Sequence, residues 1–239
     1  MKPSVPLTLI SILCFGANAF AQGNGDDLKQ RLAQAQSRIE NDTYTFTRTV
    51  RNDVTAGGNA EQTVNVETYD PTKPTDARWT LVSVNGAPPS AKALRKFSRK
   101  ARGRNALVDY RLANFVGSPA VATTDAQGRT VLRYSNLPMG SVFLMSSDVS
   151  DNTTVDVVVS EAAGAPFAEE VHLSVKPMRM MLVMKLKSFE ATSRYGLGAD
   201  GRPLLVAHTS EVSASALGFN GHLQSVATYT DYRAVGAPR

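Results

Sequence analysis

The run from Met178 to Leu186, Met-Arg-Met-Met-Leu-Val-Met-Lys-Leu, holds four of the six methionines that follow Met1. Thioether side chains are flexible and polarisable, so a row of them makes a surface that adapts to acyl chains of varied shape. Read as one strand, the run sends Met178, Met180, Leu182, Met184 and Leu186 to one face and Arg179, Met181, Val183 and Lys185 to the other. The plainer alternative is a core strand in which methionine fills gaps. Phe46, Trp79, Leu81 and Phe143, on other expected strands, are placed to line the same cavity. The expected ligand-binding set is therefore Phe46, Trp79, Leu81, Phe143, Met178, Met180, Leu182 and Met184.

A second stretch is defined by charge. Lys92, Arg95, Lys96, Arg99, Lys100, Arg102 and Arg104 fall within thirteen residues that contain no acid. Without them the chain beyond residue 21 carries 18 basic against 21 acidic side chains, so the high isoelectric point, near 9.4, belongs to this one patch. Lys92, Arg95, Lys96, Arg99, Lys100 and Arg102 are the expected docking patch, either for anionic lipid headgroups or for an acidic partner protein. A solvated helix face is the alternative. Nucleic acid is not an expected partner, because an exported protein meets little of it.

Catalytic constellations are missing. The sequence has no Gly-x-Ser-x-Gly elbow, His-Glu-x-x-His pair or Gly-x-x-x-x-Gly-Lys loop. His172, His208 and His222 lie too far apart in sequence for a local metal-ligand motif. If the last two strands pair through Asn220-Gly221, His208, Ser210 and Asp231 come together as the residue types of a hydrolytic triad, but no oxyanion donor accompanies them. Neither enzymatic activity nor a metal or cofactor is expected.

The elements that must position these residues follow from periodicity. Met1-Lys2, the apolar run Val5–Phe15 and Ala19-Phe20-Ala21 predict an export signal cleaved after Ala21. The apolar run falls short of the roughly twenty residues that span a bilayer, so the chain is not expected to be transmembrane. Cys14 lies inside the signal, which leaves the mature chain, 22–239, without cysteine. Leu28, Leu32, Ala35 and Ile39 recur at helical spacing and predict a helix over 26–40.

From Thr43 the period changes to two, with Tyr44, Phe46, Arg48 and Val50 on one face and threonines on the other. Gly57-Gly58-Asn59 turns the chain into a second strand, and residues 79–84 make a third. Ser90 caps a helix over about 90–103, whose apolar stripe is Ala91, Leu94, Phe97 and Ala101. Further strands are expected at 107–114, 130–134, 142–145, 155–159, 170–175, 178–195, 204–216 and 223–233. Short turns between them imply antiparallel pairing. The expected fold is mainly β (α+β): a single domain with a curved antiparallel sheet forming an unclosed half-barrel, an N-terminal helix and an inserted basic helix.

An amphipathic helix, then Tyr44-Thr-Phe-Thr-Arg-Thr-Val50, then many antiparallel strands resembles the periplasmic lipoprotein-carrier (LolA-like) superfamily. Lys187-Ser-Phe189, Arg194-Tyr195, Asp200-Gly-Arg-Pro-Leu204 and Tyr229-Thr-Asp-Tyr232 resemble its outer-membrane lipoprotein-sorting relatives. The resemblance implies an open β-barrel whose concave face, capped by helices, holds acyl chains. The extra length and the basic helix depart from the compact carriers.

Taken with the missing catalytic motifs, this makes a periplasmic carrier or chaperone for lipid or lipid-modified protein the leading expectation. The alternative is an envelope sensor or adaptor that reads lipid or lipoprotein state and docks on an inner- or outer-membrane protein partner.

Overall fold

The computed structural model describes residues 17–36, 44–102, 115–116, 118–144, 146–162, 164–181, 184–216 and 219–236. Its first strands follow the alternation of the sequence. β1 (Tyr44–Ala56) turns through Gly57 and Gly58 into β2 (Asn59–Tyr69), with Ala56 facing Asn59. Both glycines have positive φ, 57° and 83°, the backbone that a two-residue turn matched to strand twist requires. β3 (Trp79–Val84) pairs with β2 and leads to α2 (Ala91–Ala101), where Ser90 Oγ accepts the Ala93 N–H at 3.2 Å. Arg99 and Lys100 occupy the last turn of α2, at the negative end of the helix dipole.

The remaining strands are β4 (Ala120–Thr124), β5 (Thr130–Tyr134), β6 (Phe143–Leu144), β7 (Ser147–Asp148), β8 (Thr153–Ala162), β9 (Ala165–Val175), β10 (Met178–Met181), β11 (Met184–Leu197), β12 (Pro203–Ala216) and β13 (Phe219–Ala234). Their order across the main sheet is β3-β2-β1-β13-β12-β11-β9-β8-β5-β4, antiparallel throughout, with β10 attached to β11. β3 and β4 are the two ends of this path and do not pair with each other, so the sheet is an unclosed half-barrel. The short β6–β7 hairpin forms a separate sheet.

α1 (Ala17–Gln36) lies against β9 and β4 and buries Leu32 completely, with Leu28 and Ala33 packed beside it. Arg31 fixes its angle, reaching Glu161 at 2.9 Å and the Gly164 carbonyl at 3.3 Å. One expected boundary changes. The helix begins nine residues before Asp26, because alanines at 17, 19 and 21 are strong helix formers, and it runs through the position where cleavage is expected. Residues 37–40, residues 1–16 of the expected signal, and the strand expected at 107–114 lie outside the described residues.

The stretch 178–195 is not one strand. β10 folds back on β11, pairing Met178 with Leu186, Arg179 with Lys185 and Met181 with Met184. β9 covers the edge of β11 only from Phe189 to Arg194. Folding back therefore gives the lower part of that edge the hydrogen-bonding partner that a continuous strand would lack. The β12–β13 reversal also falls earlier than expected, between Ala216 and Phe219, so that Asn220 and Gly221 pair inside the ladder with Ser215 and Ala214.

Candidate functional site

The inner face of the sheet has two different ends. At one, Phe46 stacks on Tyr69 with centroids 5.2 Å apart, meets Trp79 edge-on at 5.6 Å, and touches Tyr229 and Tyr232 at 5.8 and 5.3 Å. Cross-strand register makes this cluster: Phe46 faces Tyr69 on β2, which faces Trp79 on β3. Arg48 lies in the same layer, its guanidinium 4.4 Å from the Trp79 ring centroid, and is paired with Glu67 directly across the ladder. Arg48 is only 7 % exposed and Glu67 4 %, so the pair is sealed from water. Burial raises the Tyr232 phenol above its usual range, and its hydroxyl donates to the Leu205 carbonyl at 2.6 Å. This end is filled.

At the other end the same face is hollow. A cavity of about 290 Å³ lies between β8, β9, β11 and β12 on one side and Ser141 to Leu144 with Phe115 on the other. Its apolar wall includes Val155, Val171, Leu173 and Phe189. The strand register explains the space: Ala191 and Ser193 on β11 face Ser210 and His208 on β12, and these are mostly small residues where the aromatic end has rings. Ser193 Oγ lies 3.0 Å from His208 Nδ1, and Ser193 is 4 % exposed. The result is a mainly apolar pocket with a polar patch on its β11–β12 side, formed by Ser193, His208 and Ser210, and with Ser141 across from it. A second apolar cluster beside it, Val149, Val175 and Leu186, closes the floor towards β10.

The expected ligand-binding residues are divided between these places. Phe143 lines the cavity and is 52 % exposed at its edge. Phe46, Trp79 and Leu81 are buried at the filled end. Met178 and Met180 pack on the second cluster, Met184 is half-buried in β11, and Leu182 lies outside the described residues. Phe189, Leu173 and Ser193 are not among the expected ligand-binding residues, and His208 and Ser210 are expected only as triad types, since half-buried strands rich in serine and alanine carry no mark of ligand binding until their neighbours are known. The triad residues are not assembled. His208 faces Ala227, and Asp231 lies four residues further along β13, about 13 Å away at the strand rise. Among the described residues no group of three potential metal ligands gathers.

On α2, Phe97 and Ala101 turn to the core, while Lys92, Arg95, Lys96, Arg99, Lys100 and Arg102 are all exposed and none forms an ion pair among the described residues. Leu94 stays 44 % exposed beside them. At the β11–β12 turn, the Asp200 carboxyl is lowered to about 2. The largest cause is the hydrogen bond from the Tyr44 hydroxyl at 2.5 Å, and Arg202 Nε at 2.6 Å adds to it.

Neither a protein-family profile nor a curated protein sequence matches the chain. Among solved structures it is similar to a domain from Vibrio parahaemolyticus described as outer membrane lipoprotein-sorting, at 11 % identity and TM-score 0.35, over 91 % of this chain and 95 % of that one. A DUF1329 family protein from Desulfovibrio piger is similar at 10 % identity and TM-score 0.23, over 92 % and 95 %. A LolA superfamily protein from Nitrosomonas europaea is similar at 10 % and 0.17, over 90 % and 94 %. Two of these three bear the lipoprotein-sorting or LolA description to which the sequence resemblance points. At TM-scores this low the likenesses carry no functional argument; the cavity does.

Proposed function

We propose that this chain is a periplasmic carrier that shields lipid, or the lipid part of a modified protein, inside the hollow end of its half-barrel. The observation that carries this reading is the 290 Å³ apolar cavity on the inner face of an open sheet. A filled structural protein would close such a space, because an apolar void forfeits dispersion contacts along its whole lining. An acyl chain restores those contacts, and each methylene it buries contributes about 0.8 kcal/mol. The exposed cations of α2, which form no ion pair among the described residues, support docking to anionic headgroups, with the exposed Leu94 reaching the bilayer surface. A sensor that docks α2 on an acidic membrane protein is a second reading favoured by the same exposed charge.

Native mass spectrometry of the exported protein, purified without detergent, tests the carrier reading. A bound species of lipid mass, recovered by solvent extraction, is the expected result. A bare mass together with failure to take up added lipid would sink it.

A further inference from the structure

The cavity restricts what it can carry. Its volume is about 290 Å³, and at roughly 30 Å³ for a water-sized or methylene-sized group that is room for about ten such groups. One alkyl chain fits; the two chains of a phospholipid do not fit side by side. The described lining contains no lysine, arginine, aspartate or glutamate. A cationic head drawn into it would find no counter-ion, and an anionic one would find only the His208 imidazole, already hydrogen-bonded to Ser193. On the β11–β12 side the lining instead offers the Ser210 hydroxyl and the hydrogen-bonded Ser193–His208 pair, with Ser141 on the side opposite. Hydroxyl and ester groups satisfy such a wall without bringing charge.

From this geometry we infer that the cavity is a site for a single-chain amphiphile with an uncharged hydroxyl- or ester-bearing head, of the monoacylglycerol class, its head on the Ser193–His208–Ser210 wall and its chain along Leu173, Val171 and Phe189. The inference rests on the carrier reading and sharpens its ligand. With about four of those groups taken by the ester and hydroxyl that meet the wall, affinity follows chain length: each added methylene strengthens binding about fourfold until roughly six are buried, after which the gain stops.

The test is calorimetric titration of the full chain with 1-hexanoyl-, 1-octanoyl-, 1-decanoyl- and 1-dodecanoylglycerol, with decanoate and dioctanoylphosphatidylglycerol as the charged and two-chain comparisons. One-to-one binding that rises from the six- to the eight-carbon monoacylglycerol and levels beyond it is expected, with decanoate at least tenfold weaker than decanoylglycerol and no competition from the two-chain lipid. His208→Phe should remove the preference for decanoylglycerol over decanoate while keeping the dependence on chain length. If decanoate or the two-chain lipid binds at the same site as well as decanoylglycerol, the inference falls and the carrier reading stands. If no lipid of the set binds, both fall.

Discussion

Phe46 and Phe189 stand on the inner face of the same sheet, yet one is locked among four aromatic rings and the other borders empty space. The two ends differ in side-chain volume more than in backbone: β1–β2 pairs without a shift, and the β11–β12 ladder, although its register shifts on either side, is regular from Ser188 to Arg194 where it lines the cavity. Rings at 46, 69, 79 and 229 fill one end; Ala191, Ser193 and Ser210 leave the other open. The dense packing lies away from the cavity. On the carrier reading that separation lets the cavity open to lipid without unfolding, because packing strong enough to hold the fold would otherwise have to yield at each loading.

The largest effect should come from the sealed ion pair. Glu67→Ala leaves the Arg48 charge buried on the Trp79 face without its partner, a change expected to cost about 3–5 kcal/mol in urea unfolding. The next comparison sets the two phenylalanines against each other. Phe46→Ala should cost about 3–5 kcal/mol, and Phe189→Ala only about 1–2, since its neighbours already lack contacts on the cavity side. Equal losses would mean that the cavity is closed in solution.

Enlarging side chains should reverse the order. Ala227→Leu, at a position 5 % exposed, is expected to cost about 1–3 kcal/mol through overpacking, whereas Ala191→Leu grows into the cavity and should be close to neutral in thermal melts. The smallest effect concerns Asp200. Its folded pKa, about 2, lies below the ordinary 3.8, so its contribution is fully present above pH 4 and is lost as the pH falls towards 2. The carboxylate is partly exposed, which limits the contribution to less than about 1 kcal/mol. Acid titration of stability in Asp200→Asn should lack that component and otherwise match the parent.

Much of the fold was legible because its signals are local. Alternation at Tyr44, Phe46, Arg48 and Val50, the Gly57-Gly58 turn and the Ser90 cap each depend on a few adjacent residues. The methionine hairpin was not legible, because its cause is the point where β9 leaves the edge of β11, a fact about a strand far away in the chain. The Asn220-Gly221 turn misleads for a related reason: the dipeptide suits a hairpin, but the ladder continues through it to Phe219.

For the site, apolar type alone led to Phe46 and Trp79, which have the chemistry of a lining but sit where large neighbours meet them. The space itself comes from small residues on two central strands and from the β6–β7 hairpin above them, a difference in volume across register that no single segment displays.

Adjacent strands also offer the most direct test of the central claim, that the hollow end is where lipid binds. Ala191 on β11 lines the cavity, while Thr209 on β12 is exposed and faces Thr192 across the ladder, one residue out of phase with the cavity-facing Ser210. An acyl-chain fluorophore titrated into Ala191→Trp and Thr209→Trp, each first shown to melt as the parent does, should lose saturable binding in the first and keep it in the second. Undiminished binding in Ala191→Trp would place the ligand elsewhere and contradict the account.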